Sequence, residues 1–339
     1  MLELLVFLPF LVPVVVANLS ERHRHTPYTT ADPGTTRLVD NGLRVLPYIL
    51  LAALNVSLLG VAALALLNAL AQQLMPGVME ETAMELNWGA VAVASLLTGI
   101  LAFVPLIAGV RRWLARVLPI DPESPVHMTA LVLAVYMIGL SLAQTALIGS
   151  LENLAGAGLE LTAWDVLLSG LPLLIFGLLG VGIWIRRGVG ATAERLGLLR
   201  PTWKQLLAAL VVTALLLGLD LVVNLLWAEV DPFGYELMDR VMRSLFGGLG
   251  TVVGAIVLGL SAGISEEILF RGAVQPRLGL VLAAVLFTIG HLQYSLTPAT
   301  LEVLIIGLIL GLVRKRSNTT VCIIIHALYN MTGALLGAW

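Results

Sequence analysis

Long apolar runs alternate along this chain with short polar segments. Ten of the runs approach the roughly 20 residues that an α-helix needs to cross the hydrocarbon core of a bilayer. They cover approximately residues 2–18, 45–70, 88–110, 128–151, 166–185, 206–228, 245–275, 279–295, 300–314 and 319–338. The run at 245–275 is unusually long, and Gly263 is a position where it can break. We therefore predict an all-α fold, a polytopic transmembrane bundle of about ten helices.

The polar connections between these runs differ in charge. Most of the 19 Lys and Arg residues fall in every second connection, beginning with Arg22 and Arg24, whereas acids such as Glu80 and Glu152 mark the connections between them. Cytoplasmic loops are enriched in Lys and Arg. The alternation predicts that both termini lie on the non-cytoplasmic side. The first run contains Glu3 and lacks a basic leading segment, which favours a retained anchor over a cleaved signal peptide.

Two predicted cytoplasmic connections are longer than turns. Residues 19–44 form a polar loop with Pro, Gly and Thr, and residues 186–205 form another, in which Arg200-Pro201-Thr202 is typical of a helix start. The second loop separates a half without intramembrane charge from a half that contains nearly all of it. We predict amino-terminal helices of unassigned role at 1–195, about five in number, and a functional module at 196–339.

The composition agrees with a membrane protein. Of the 339 residues, 59% are hydrophobic and 12% are charged, with a mean hydropathy of +0.98, whereas a soluble domain carries about a quarter charged residues. The formal net charge of −2 gives no indication of a nucleic-acid partner. The single cysteine, Cys322, excludes an internal disulfide. No phosphate-cradling or dinucleotide-binding motif is visible in the sequence.

The stretch from Ser265 to Arg271 places two carboxylates and a guanidinium inside apolar sequence. Charge inside the membrane is costly and by default indicates a functional site. Glu267 and Arg271 are four residues apart, on one helix face, so the guanidinium can neutralise that carboxylate. Glu266 points about 100° away around the helix and is left for chemistry. A structural ion pair that fixes helix packing is the alternative, which the second carboxylate weakens.

Two of the five histidines, His291 and His326, interrupt apolar runs. Counted from predicted turns near residues 276–279 and 314–317, Glu266 and both histidines lie roughly 13–18 Å from the cytoplasmic side, at 1.5 Å per helical residue. Asn330 follows His326 by four residues and shares its helix face. We therefore expect three helices to present Glu, His, and His with Asn at one depth.

This set suits the hydrolysis of a peptide bond, which needs a base for water, a group that orients the water, and donors for the oxyanion. Glu266 suits the first role, His291 the second, and His326 with Asn330 the third. The same Glu266, His291 and His326 also suit a zinc site with an open position, in which a second glutamate would be the base. The sequence leaves metal-free and metal-assisted mechanisms open.

Three motifs, Glu266-Glu267-x-x-x-Arg271, Phe287-x-x-x-His291 and His326-x-x-x-Asn330, follow one another on hydrophobic segments. In this order they resemble the CPBP family of intramembrane proteases, the CAAX prenyl endoproteases and their bacterial relatives associated with bacteriocin processing or self-immunity. The resemblance covers about 140 carboxy-terminal residues.

The resemblance implies a helical membrane core with a cavity open toward the cytoplasmic side. It implies catalytic roles for all six polar motif residues: Glu266 as the water-activating base, Glu267 with Arg271 as its support, and His291, His326 and Asn330 as above. Phe287 would serve packing. Members are described both as metalloproteases and as metal-independent glutamate proteases, so zinc stays open as a cofactor. The Arg-rich composition looks similar to that of prokaryotic members.

We therefore predict an intramembrane endopeptidase of a prokaryotic cell membrane. Its partners would be the lipid bilayer and a membrane-associated peptide or protein substrate, with or without a lipid anchor. One alternative is a non-enzymatic immunity or scaffold protein that keeps the fold. A second is an ion-coupled transporter that uses Glu266, Glu267 and Asp220 as a relay, which the lack of an internal repeat disfavours. Outside the transporter hypothesis, three roles are open for Asp220. It can contact the cavity, pair with one of the histidines, or form a hydrogen bond to a neighbouring helix.

Overall fold

The computed structural model describes residues 2–28, 32–74, 87–156, 158–291 and 295–337, and no β-strand occurs among them. The helices in chain order are α1 (Leu2–His25), α2 (Pro33–Leu74), α3 (Trp88–Leu101), α4 (Ala108–Leu114), α5 (Pro125–Ile148), α6 (Leu151–Gly156), α7 (Ala163–Gly180), α8 (Val189–Leu196), α9 (Trp203–Val230), α10 (Pro232–Phe246), α11 (Val252–Glu267), α12 (Gln275–Ile289), α13 (Pro298–Arg316) and α14 (Thr319–Leu336). A π-helix, Ile268–Val274, joins α11 to α12. The predicted all-α class is confirmed.

Seven stretches of the described chain are long and apolar enough to cross a membrane. They are Pro33–Leu74, Trp88–Leu106, Pro125–Ile148, Ala163–Gly180, Trp203–Val230, Val252–Ile289 and Thr319–Leu336. The prediction of about ten helices counted three more because it separated α11 from α12 and included α1 and α13. Each of the ten predicted runs overlaps a helix, and the last turn of α13 is basic, with Arg314, Lys315 and Arg316.

The outer faces of the long helices are apolar. On α9, Leu215 and Leu225 are 66% and 63% exposed, and exposed Leu and Val side chains are also frequent on α2. Helices satisfy their own backbone hydrogen bonds, so such faces are compatible with lipid. The seven apolar stretches and these exposed faces indicate an integral membrane protein.

The predicted polar loop at 19–44 is wrong, because helices occupy most of it. Helix α1 continues to His25, and α2 begins at Pro33. Asp32 accepts hydrogen bonds from the backbone N–H groups of Gly34 and Thr35, at 3.2 and 2.8 Å, which is the role of an N-cap residue. His23 also lies 3.0 Å from Asp40, which ties the two helices together. Polar helix ends of this kind carry no apolar signal in the sequence.

The second predicted loop, 186–205, contains the short helix α8 and packs on the carboxy-terminal helices. Thr319 donates to the Leu196 carbonyl at 2.5 Å, and Arg195 donates to the Gly272 carbonyl at 3.1 Å. The predicted helix start at Thr202 is present, since Thr202 and Gln205 form a reciprocal capping box at the start of α9. The division of the chain at residues 195 and 196 stays a prediction.

Helix α11 does not break at Gly263. A Cβ at Gly259 would lie 2.6 Å from the Ala327 carbonyl oxygen, and one at Gly263 would lie 3.1 Å from the Ala327 nitrogen, so both glycines serve close packing against α14. The break occurs instead at Gly279, whose φ of 81° and ψ of 168° are accessible only to glycine. The turn expected near 276–279 is therefore made by this residue.

Candidate active site

Glu267 lies at the centre of a fully buried charged cluster. The Arg271 guanidinium donates to Glu267 Oε1 at 2.9 Å, and His326 Nδ1 lies 2.9 Å from the same oxygen. The side chains of Glu267, Arg271 and His326 are 0%, 2% and 6% exposed. Desolvated charges are tolerable only when they are paired in this way. The predicted pair of Glu267 with Arg271 is present, and His326 from α14 joins it.

Glu266, the adjacent carboxylate, faces His291 instead. Glu266 Oε2 lies 3.7 Å from His291 Nε2, and the two side chains are 16% and 20% exposed. This separation is too long for a direct hydrogen bond, and Glu266 Oε2 has no hydrogen-bond partner among the described residues. The pair is therefore placed so that one small molecule, such as water, can contact both groups.

Phe287 holds the two pairs together. Its ring centroid lies 4.2 Å from the Arg271 guanidinium carbon, 4.7 Å from the His291 ring and 5.9 Å from the His326 ring. Phe270 also packs edge-on against it at 5.4 Å. A cation over an aromatic face is attracted by the ring quadrupole. Phe287 thus contacts three of the predicted site residues, which is more than the packing role that the motif implies.

Helix α13 supports the cluster through backbone carbonyls. Arg271 donates to the Gly307 carbonyl at 3.2 Å, and one turn later the buried Gln275 donates to the Gly311 carbonyl at 2.8 Å. The two donors are four residues apart, and so are the two acceptors. The two hydrogen bonds therefore link the π-helix and the start of α12 to α13 at two successive turns. None of the three sequence motifs includes Gln275, Gly307 or Gly311. The only sequence signal was their common spacing of four.

The tautomer of His291 follows from its contacts. His291 Nδ1 lies 2.8 Å from the Phe287 carbonyl oxygen, which can only accept a hydrogen bond, so Nδ1 carries the proton. Nε2 of the neutral ring is then an acceptor, and it faces Glu266. In the same way, Glu267 accepts from Arg271, which assigns a proton to His326 Nδ1 and leaves Nε2 of that ring free.

Two further predicted residues lie apart from these pairs. Asn330 is half-buried one turn beyond His326 on α14, and among the described residues it makes no hydrogen bond with the other five site residues. Its role stays a prediction. Asp220 accepts from Asn224 at 3.1 Å and lies near Glu302, which accepts from Tyr329 at 3.3 Å. Asp220 therefore belongs to a polar group between α9, α13 and α14.

The three residues predicted as zinc ligands do not form one ligand set. His291 faces Glu266, whereas His326 directs Nδ1 to Glu267. No group of three His, Cys, Asp or Glu side chains within the described part of the chain is close enough to hold a metal ion. Glu267, the second glutamate, already accepts from Arg271 and contacts His326. The side chains as placed do not fit a zinc ion, and the mechanism below uses none.

Comparison with known proteins identifies the region that contains this site. Residues 248–332 match the family model described as Rce1-like, type II CAAX prenyl endopeptidase. The matched segment contains α11, the π-helix, α12, α13 and most of α14, and thus every charged group of the site. No curated protein and no solved structure matches the chain. The match of residues 248–332 to the Rce1-like family model confirms the resemblance of the three motifs to the CPBP proteases.

Proposed function

We propose that this protein is an intramembrane endopeptidase that uses Glu266 to activate water. The family match of residues 248–332 supports a protease. The observation that carries the mechanism is the separation of 3.7 Å between Glu266 Oε2 and the acceptor nitrogen of His291. Both groups belong to partly exposed side chains, whereas the neighbouring Glu267 is sealed. Glu266 Oε2 is itself buried and lacks a hydrogen-bond partner among the described residues, so a bound water molecule would satisfy it, and the partly exposed remainder of this side chain favours Glu266 over Glu267 as the carboxylate next to a substrate.

The two acceptors orient the water. A water molecule between them donates one hydrogen to Glu266 Oε2 and the other to His291 Nε2, which leaves an oxygen lone pair directed away from both. That lone pair attacks the carbonyl carbon of the scissile bond while Glu266 takes the proton. The tetrahedral intermediate then breaks its C–N bond, and Glu266 returns the proton to the leaving amine. General base catalysis of this kind contributes about 10²–10⁴-fold to the rate.

The buried cluster stabilises the charge that develops on the substrate oxygen. His326 Nδ1 is held by Glu267, so Nε2 is the ring atom that remains for the substrate. In its imidazolium form His326 donates from Nε2 to the oxyanion. Asn330, one turn along α14, would supply a second donor. Arg271 donates to Glu267 and fixes its position, so Arg271 acts on the reaction only through Glu267 and His326.

The location of the site restricts the substrate. Glu266 lies at the end of α11, and His291 directly follows α12, within the long apolar stretch Val252–Ile289 and at its border. A substrate must therefore bring its scissile bond to the membrane. We propose a membrane-associated or lipidated peptide that is cleaved near the cytoplasmic side, where the positive-inside rule places the Arg-rich connections.

The test is proteolysis by purified protein with a library of membrane-anchored and prenylated peptides. Glu266→Gln should lower cleavage by about 10²–10⁴-fold, since it removes the base and keeps the shape. Glu229→Gln, at the exposed end of α9, is the matched control and should cleave at the original rate. Activity should also persist in a chelator. Loss of activity with the chelator and its return with zinc would contradict the metal-free mechanism.

The alternatives predict different results in the same assay. A non-enzymatic immunity or scaffold protein would show no cleavage of any library member by either the original chain or Glu266→Gln. A transporter would show gradient-dependent flux in liposomes that Glu266→Gln and Asp220→Asn both reduce. Cleavage that depends on Glu266 and is indifferent to Asp220→Asn would exclude both as the main activity.

A further inference from the structure

A large cavity lies between the amino-terminal helices and the Rce1-like domain. Its volume is about 1400 Å³, above the roughly 300–1,000 Å³ of pockets for drug-sized ligands. Its walls come from α1, α5 and α7 on one side and from the π-helix and α12 on the other. None of the six predicted catalytic residues lines it. The cavity therefore needs an occupant of its own.

One end of this cavity is cationic. Five arginines line it, and two carboxylates, Glu21 and Asp121, lie beside them. The arginines are Arg22, Arg186, Arg187, Arg195 and Arg277. Both carboxylates already have cationic partners, since Arg24 lies 2.6 Å from Asp121 and 3.6 Å from Glu21. Six guanidinium groups, the five lining ones and that of Arg24, accompany two carboxylates, so this end carries a net positive charge.

The partners of these arginines are neutral. Arg22 donates to the Ile185 carbonyl at 3.2 Å, and Arg186 donates to the Asn18 side chain at 2.7 Å. Arg187 donates to the Val181 carbonyl, and Arg195 to the Gly272 carbonyl. Within the described residues no carboxylate lies within 4.0 Å of any of the five lining guanidinium groups.

Burial and the crowding of these charges lower the pKa values of two of the arginines. Burial and the charge of Arg187 lower the pKa of Arg186 to about 10. Burial, followed by the charges of Arg277 and Arg187, lowers the pKa of Arg195 to about 10 as well. Partly buried guanidinium groups that repel one another would gain from an anion placed among them. An anion is therefore the ligand that this end requires.

The rest of the cavity is apolar and elongated. Its walls away from the arginines include Phe7, Phe10, Leu133, Leu140, Leu173 and Phe176. From Phe7 to Arg22 the cavity follows α1 for fifteen residues, which at 1.5 Å per residue is about 22 Å. A single leaflet provides about half of the roughly 30 Å hydrocarbon core. The cavity is therefore long enough to take a complete acyl chain below a head group at the arginines.

We propose that this cavity binds an anionic phospholipid, with its phosphate among the five arginines and its acyl chains between α1, α5 and α7. The charge of the arginine end fits a phosphate, and the apolar walls fit acyl chains. Basic pockets between transmembrane helices are suited to anionic head groups. The lipid would join the amino-terminal helices to the Rce1-like domain, which gives residues 1–195 a role that the proteolytic site does not.

The test is native mass spectrometry of the full chain, purified in detergent and stripped of lipid. Phosphatidylglycerol should bind one-to-one and more tightly than phosphatidylcholine, because the choline charge opposes the arginines. Arg277→Gln, which removes a lining charge with no hydrogen bond assigned to it, should weaken phosphatidylglycerol by about tenfold. Arg277→Lys should restore most of the affinity. Arg116→Gln, an exposed arginine outside the cavity, is the matched control and should bind unchanged.

A second variant tests the apolar part separately. Ala130→Trp fills the cavity from α5 and leaves every arginine in place, so it should also reduce lipid binding. Inorganic phosphate should not displace the lipid, because it lacks the chains. The proposal is overturned if phosphatidylcholine binds equally well, if phosphate alone competes, or if Arg277→Gln and Ala130→Trp both bind as the original chain does. It also fails if only a lipidated peptide with a free carboxylate binds.

Discussion

Glu266 and Glu267 are neighbours in the sequence, yet the structure puts them in opposite environments. Glu267 is buried, the Arg271 guanidinium neutralises it, and His326 contacts the same oxygen. Glu266 is partly exposed, and its Oε2 has no hydrogen-bond partner among the described residues. Glu267 Oε2 is likewise without a hydrogen-bond partner among the described residues, so the two carboxylates differ in their exposure and in their charged neighbours. The difference separates reactivity from support within two adjacent residues.

The largest expected effect comes from breaking the sealed side. Glu267→Ala would leave Arg271 buried without its carboxylate, and removing one partner of a buried ion pair costs about 3–5 kcal/mol of unfolding free energy. Glu266→Ala should cost about 1 kcal/mol or less, because Oε2 makes no hydrogen bond to the described residues and only its 3.7 Å contact with His291 is lost. Unfolding by denaturant in detergent micelles would measure both. Equal destabilisation by the two variants would contradict the contrast.

Removing the partner of the partly exposed carboxylate should lower the rate much more than the stability. His291→Gln takes away the acceptor that orients the water, and we expect cleavage to fall by about 10²-fold. The unfolding free energy should fall by about 1 kcal/mol, because the ring loses its hydrogen bond to the Phe287 carbonyl and its contact with the Phe287 ring. The matched control is His25→Gln, a histidine that is 65% exposed at the end of α1. A loss of unfolding free energy as large as that expected for Glu267→Ala would indicate that His291 is a structural residue.

Phe287→Leu should affect both sides at once, since the ring contacts Arg271 and both histidines. The lost cation–π and aromatic contacts amount to about 1–2 kcal/mol of unfolding free energy. The cleavage rate should also fall, because the rings of both histidines lose the aromatic ring that packs against them. Combining Phe287→Leu with His291→Gln in a double-mutant cycle measures the coupling. Strict additivity of the two effects on rate would exclude a shared role.

The smallest effect should come from an ion pair of the same spacing at the surface. Arg243 lies 2.8 Å from Asp239, four residues away, and its side chain is 73% exposed. Arg243→Gln should cost only about 0.3–0.5 kcal/mol, and less at high salt. Both ion pairs have a spacing of four residues and similar distances, so comparing the destabilisation by Arg243→Gln with that by Glu267→Ala measures the effect of burial. A loss near 3 kcal/mol would show that spacing and distance, and not burial, determine the contribution.

The sequence predicted the parts of the site that have a chemical signature. Charged and polar residues within apolar runs revealed Glu266, Glu267, Arg271, His291 and His326, and depth counting brought them to one level. The backbone carbonyls of Gly307 and Gly311 have no signature, because every residue has a carbonyl. The extent of the role of Phe287 was missed for a related reason, since one aromatic among many apolar residues does not show which rings it will contact.

The fold was predictable to a similar degree. Apolar runs located the helices, because lipid selects for them, but the polar ends of α1 and α2 were assigned to a loop. The cavity lined by Arg22, Arg186 and Arg277 was out of reach, because its walls come from helices far apart in the chain. Only tertiary packing decides which of the scattered arginines share one space.

The number of residues in the π-helix at Ile268–Val274 matters independently of which residues they are. The Gln275 N–H donates to the Phe270 carbonyl, five residues back, so the segment is one residue wider per turn than an α-helix. Deleting a single residue here would rotate everything that follows by about 100° relative to Glu266 and Glu267. Arg277 would then leave the cavity, and Gln275 would leave α13. A substitution along this segment alters only the contacts of that side chain. An insertion or deletion changes the helical orientation of the cavity-lining residues relative to Glu266 and Glu267.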